Sequence, residues 1–154
     1  MSNEEQFSLA PLVNLKRLSR LRVFALYAAI NIIKSDIPRG GVLQDISVVL
    51  HTIISHKIEK TSFDFTIDDK HPFVGCLGED WGGLCDEVIR ISAGRPFQFT
   101  LITTVAWSGI RKPFGERKLY KHIGDKISSL SDFPNIRTIF WNPICWETTG
   151  GPPQ

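Results

Sequence analysis

DEVIRISAGRPFQFTLITTVAWSG, Asp86 to Gly109, holds the longest apolar run of the chain, and the fold turns on how it is read. Val88, Arg90 and Ser92 alternate with Ile89, Ile91 and Ala93. After a short break, Phe97, Phe99, Leu101, Thr103, Val105 and Trp107 alternate with Gln98, Thr100, Ile102, Thr104 and Ala106. A period of two is the strand period, and Phe, Thr, Val and Ile suit a pleated, half-buried surface. Between the runs Gly94 accepts a positive φ and Pro96 holds Arg95 extended. The stretch therefore reads as a tight hairpin. Burying half a dozen of its large side chains at ~1.5 to 3 kcal/mol each contributes on the order of 10 kcal/mol before chain entropy is subtracted.

Working outward, Val23 to Ile33 (VFALYAAINII) reads as a buried strand and SDIPRGG, Ser35 to Gly41, as a turn. Leu43, Ile46, Leu50 and Ile53 recur at spacings of three and four and predict a helix over 43–57. Thr61 to Ile67 alternates Phe63, Phe65 and Ile67 with Ser62, Asp64 and Thr66, a half-exposed strand. Residues 68–86, with Pro72 and four glycines, read as a long loop carrying Phe73 and Trp81. Leu119, Tyr120, Ile123, Ile127 and Leu130 predict a second helix over 117–130, and Ile136 to Trp141 a final strand. The expected fold is α+β: one domain over 13–146, a mainly antiparallel sheet with two packed amphipathic helices. Residues 1–12 read as a mobile arm and 147–154 as a disordered tail.

A chain of 154 residues, 42% hydrophobic and 22% charged, suits one domain with its own core. The formal net charge of +2 is small, but the charges are segregated. Lys16, Arg17, Arg20 and Arg22 lie together without an anion. Arg111, Lys112, Arg117, Lys118 and Lys121 face only Glu116, and eight carboxylates between Glu59 and Glu87 face only Lys60 and Lys70. Such a layout makes either a basic and an acidic face or two solvated surfaces. Leu12, Leu15 and Leu18 share a helical stripe among the first cations, so that segment could lie on an anionic membrane, follow a phosphate backbone or pack on its own core.

Signatures of chemistry are absent. Cys76, Cys85 and Cys145 are an odd number of cysteines, and the acidic start MSNEEQFS is unlike a secretory leader, so free thiols in a reducing compartment are expected. His51 and His56 lie five apart, on different faces of a helix. Cys76 and Cys85 with His71 make no zinc spacing. Asp68, Asp69, Glu79 and Asp80 could act as acid and base, but adjacent loop carboxylates are usually solvated. No phosphate loop, nucleophile elbow or dinucleotide fingerprint occurs. The expectation is a non-enzyme without cofactor or metal.

One family resemblance is carried by residues. The apolar segment Val23 to Ile33, Pro38 with Arg39, a helix begun at Asp45 among aliphatics, and Gly94-Arg95-Pro96-Phe97 leading an apolar strand into Ser108-Gly109 together resemble the core of rhabdovirus matrix proteins, over residues 15–110. The resemblance implies a compact α+β domain that coats the inner face of a viral envelope, binds the nucleocapsid protein and an anionic membrane surface, and self-associates, in the virion and the host cytoplasm. On that reading Lys16, Arg17, Arg20, Arg22, Arg111, Lys112, Arg117 and Lys118 would meet membrane or nucleocapsid. Phe73 and Trp81, in the acidic stretch, would anchor self-association. The alternative is a non-catalytic α+β module that binds protein or nucleic acid.

Overall fold

The stretch WGGLCDEVIRIS, Trp81–Ser92, is a helix. Its buried residues are Trp81, Leu84, Cys85, Val88, Ile91 and Ser92, spacings of three and four that place one stripe toward the core. Asp80 caps it, its carboxylate accepting a bond from the Gly83 N–H at 3.2 Å. It ends where Ala93 turns left-handed at φ 49° and Gly94 follows at φ 71°. The alternation of Val88 to Ala93 is thus a six-residue coincidence inside a helical pattern twice as long.

The computed structural model describes residues 14–31, 41–68, 77–105 and 113–142, with backbone alone at 28–31, 68, 105 and 113–116. In chain order the elements are β1 (Val23–Asn31), α1 (Gly41–His51), β2 (Lys60–Asp68), α2 (Trp81–Ser92), β3 (Phe97–Val105), α3 (Pro113–Ile127), a 3-10 turn (Ser128–Asp132) and β4 (Ile136–Trp141). The sheet order is β1-β2-β3-β4, and every adjacent pair is parallel. The fold is α/β, which corrects the expected antiparallel α+β sheet. The physical cause is α2. A hairpin turn can join only antiparallel strands, whereas a helix between β2 and β3 returns the chain to the starting edge and makes the next strand parallel. There are accordingly three described helices, where two were expected.

Sequential order with crossovers of one hand puts every helix on one face, and α1 packs on α2 and α2 on α3. Alternation along the strands agrees. Thr61, Phe63, Phe65 and Ile67 of β2 and Phe97, Phe99, Leu101 and Thr103 of β3 are buried under the helices, while Ser62, Asp64, Thr66, Gln98, Ile102 and Thr104 are only partly covered on the other face. The inward face foreseen for 97–103 therefore survives the change of topology, because burial follows the pleat and not the partner's direction. Register sets Leu26, Phe63, Leu101 and Phe140 in one row across all four strands. Phe63 lies at its centre, within 6.2 Å of the Phe24 ring and 6.1 Å of the Phe65 and Phe99 rings. Such aromatic contacts add ~0.5 to 1.5 kcal/mol each beyond the area they bury.

Two joints fix the helix layer. Gly41 opens α1 at φ +56°, and a Cβ there would lie 2.7 Å from the Leu77 carbonyl oxygen, which accepts the Leu43 N–H at 3.1 Å. Only glycine permits this approach. At the other end of α1 the Arg90 guanidinium donates to the Leu50 and Ile53 carbonyls at 2.9 and 3.2 Å, held by Glu87 at 2.7 Å. Glu87 also meets His51 at 2.8 Å. A cation from α2 thereby meets the carbonyl of Leu50, in the last turn of α1, which also accepts the Ile53 N–H at 2.9 Å, and that of Ile53 just past the helix.

The cationic segment before β1 forms two turns, with Leu18 N–H donating to the Leu15 carbonyl and Leu21 N–H to the Leu18 carbonyl. It is tied to α1 and the residues after it. Leu15 N–H donates to Thr52 Oγ1 at 2.9 Å, and Ser55 Oγ lies 2.7 Å from the Leu21 carbonyl. The expected arm over 1–12 and tail over 147–154 fall outside the described residues.

Candidate functional site

Parallel strands start at one edge, and here each start carries a polar or charged residue. Arg22 precedes β1, Glu59 precedes β2, Arg95 lies two residues before β3, and Asn135 precedes β4 with Arg137 at its second position. Backbone bonds stitch these starts together. Glu59 N–H donates to the Arg22 carbonyl at 2.8 Å, Gln98 N–H to the Glu59 carbonyl at 2.8 Å, and Phe97 N–H to the Asn135 carbonyl at 2.9 Å. With strands ~4.8 Å apart, the row spans ~14 Å from β1 to β4.

A cleft of about 880 Å³ opens along this amino edge. Among the described residues its cations are Arg22, Lys57, Arg95 and Arg137, against Glu59 as the one carboxylate in its lining, and Ile58, Pro96 and Phe97 give it an apolar floor. Glu59 pairs with Arg22 at 2.7 Å in an exposed bridge, a class worth ~0 to 1 kcal/mol. It leaves three cations in excess. Asn135 fixes the wall, its Nδ2 donating to the Arg95 carbonyl at 2.9 Å and to Ser92 Oγ at 3.3 Å. Arg95 is steadied by one bond from its guanidinium to the Ile91 carbonyl at 3.2 Å. Lys57 and Arg137 are exposed. Such an arrangement can hold negative charge at several points along a line. It offers no nucleophile paired with a base.

Of the described residues expected from sequence to bind, Arg22 alone lines this cleft. Lys16, Arg17 and Arg20 are exposed on the two turns leading to it, with Leu18 beside them 47% exposed. Arg117 and Lys118 are exposed in the second turn of α3. Since α3 follows β3, they lie toward the carboxyl edge, the opposite end of the sheet. The described cations of the two basic clusters therefore lie toward opposite ends of the sheet. Arg111, Lys112 and Phe73 lie outside the described residues. Trp81, expected as an exposed anchor, is 2% exposed. It forms the first turn of α2 with its indole N–H unpartnered among the described residues, so it belongs to the core.

The remaining candidates for chemistry disperse. Asp80 is a helix cap and Glu79 is exposed beside it; Asp68 ends β2; Asp69, His71, Cys76 and Cys145 lie outside the described residues. Cys85 is buried, with its Sγ 3.8 Å from the Lys126 carbonyl. Burial pushes its thiol up, a hydrogen bond with Ser129 opposes this, and the Asp86 charge adds to it; such a thiol is a poor nucleophile. Among the described residues no group of three His, Cys, Asp or Glu side chains could hold a metal, and no helix is long and apolar enough to cross a membrane.

Comparison with protein-family models, curated proteins and solved structures returned no match.

Proposed function

We propose that this chain is a non-catalytic binding module whose amino-edge cleft takes the phosphate backbone of a single-stranded nucleic acid. The observation that carries this reading is the gathering of Arg22, Lys57, Arg95 and Arg137 from separate segments into one concave groove. Phosphate backbones are held by such lines of cations, largely without regard to sequence. The site is an open depression along the strand starts, across which a single strand can lie. Phe97 is buried, so base stacking contributes little and the binding is expected to be sequence-tolerant and salt-sensitive.

The test is fluorescence anisotropy with a labelled single-stranded oligonucleotide. For single strands log K falls against log salt with a slope of about −0.7 for each phosphate contact. Lys57→Gln with Arg137→Gln should therefore flatten the slope by about 1.4, while Arg117→Gln with Lys118→Gln should leave it unchanged. Oligonucleotide affinity equal in the wild type and the Lys57/Arg137 variant at low salt would reject the cleft.

A second reading keeps the matrix-type role, attachment to an anionic membrane. Its support is Leu18, exposed between Arg17 and Arg20 beside Lys16, an apolar side chain among cations as peripheral segments present to lipid. Under that reading, Leu18→Ser and Arg17→Gln would each weaken sedimentation with phosphatidylserine vesicles. The cleft variants would leave it unchanged.

A further inference from the structure

Among the described residues, the edge of the sheet formed by β1 is undefended. Natural edge strands are kept from pairing by lysines, prolines, bulges or shortness. β1 runs nine residues, VFALYAAIN, with no charge and no proline, and among the described residues it pairs only with β2. The opposite edge, β4, has six residues and carries Arg137. Two of the most exposed large apolar side chains, Val23 at 53% and Tyr27 at 75%, belong to β1.

Its backbone is set to accept a partner. The Arg22 carbonyl accepts from the Glu59 and Lys60 N–H groups and so faces β2. Successive residues of a strand turn their backbone groups to opposite edges. Val23, Ala25, Tyr27, Ala29 and Asn31 therefore turn N–H and C=O outward. Tyr27 is the midpoint of this set, and the strand is nearly self-complementary about it. Run antiparallel to itself, Tyr27 meets Tyr27, Ala25 meets Ala29, Phe24 meets Ile30, Leu26 meets Ala28 and Val23 meets Asn31. No charged residue falls anywhere in the set.

From this we infer that β1 is the interface for a second copy of the chain, joined about a twofold axis at Tyr27 into a continuous eight-stranded sheet. The contact is isologous, so it closes as a dimer and does not propagate. The edge is about 30 Å long and the sheet with its helix layer about 20 Å deep. That covers on the order of 600 Å² per copy, at the lower end for stable association. The dimer is accordingly concentration-dependent, and it places the two basic clefts in one assembly. The inference does not rest on what the clefts bind.

Light scattering over a concentration series tests it, together with cysteine cross-linking in a Cys76→Ser/Cys145→Ser background. Wild type should pass from monomer to dimer as concentration rises. Tyr27→Lys, a change at an exposed position that sets like charges together at the axis, should stay monomeric with an unchanged circular dichroism spectrum. Tyr27→Cys should oxidise rapidly to a covalent dimer, because a hydrogen-bonded antiparallel pair places Cα atoms about 5.5 Å apart, within disulfide reach. Ala25→Cys should not, since its own counterpart lies about 13 Å away along the strand. A wild type that stays monomeric at high micromolar concentration would overturn the inference, leaving the edge to a strand of some other protein. Cross-linking of Ala25→Cys as fast as Tyr27→Cys would overturn it too.

Discussion

Arg90 shows how much one side chain can join. Its guanidinium reaches one carbonyl in the last turn of α1, one just past it, and a carboxylate on its own helix, a fork that lysine cannot reproduce. Arg90→Ala should cost about 1 to 3 kcal/mol by chemical denaturation, from lost charge-assisted bonds, and Arg90→Lys should recover only part of it. Asp64 works against stability. It occupies the middle of the sheet face opposite the helices, in register with Tyr27 and Ile102, and burial raises its carboxyl above the ordinary value of 3.8. A raised carboxyl favours the protonated form in the folded state. Its contribution is therefore fully present below the ordinary carboxylate value and is lost as pH rises through the folded one. Asp64→Asn should raise Tm at neutral pH and make no difference in strong acid; a Tm lowered at neutral pH would contradict that sign.

At the scale of elements, α2 decides the topology and its ends are open to test. Asp80→Ala should cost about 1 kcal/mol through loss of the cap, and Ala93→Gly should gain about 1 kcal/mol by relieving a left-handed alanine, both read from urea midpoints. The helix was legible: Trp81, Leu84, Cys85, Val88 and Ile91 hold a helical period, and Asp80 stands where a cap belongs. The period-two reading of Val88 to Ala93 hid it, because six residues satisfy alternation by chance and the glycines at 82 and 83 look like loop. The remaining elements were legible for physical reasons. The stripe Leu43, Ile46 and Leu50 of α1 and the stripe Leu119, Ile123 and Ile127 of α3 are buried, although α1 stops at His51, short of the expected 57, and the alternation in β2 spans its strand.

For the whole molecule, one missed helix changed the direction of every strand after it, and with that the location of the site. Lys57, Arg95 and Arg137 are far apart in the sequence, and none belongs to a run of cations. They converge only because parallel strands all begin at the same edge. Antiparallel strands would have divided those starts between opposite edges of the sheet. The cluster that did stand out, Lys16 to Arg22, contributes Arg22 and an approach to the cleft, while Arg117 and Lys118, equally conspicuous, lie toward the other edge. Charge runs mark where cations are dense along the chain, and topology decides which of them share a surface.

The most direct measurement is the backbone amide spectrum of the labelled protein during titration with a single-stranded oligonucleotide. The account predicts shifts that saturate together at Arg22, at 57–60, at 95–98 and at 135–137, segments distant in sequence that meet only at the amino edge of a parallel sheet, with Arg117 and Lys118 unmoved. Shifts confined to one of these segments, or centred on 117–118, would contradict both the cleft and the topology that builds it.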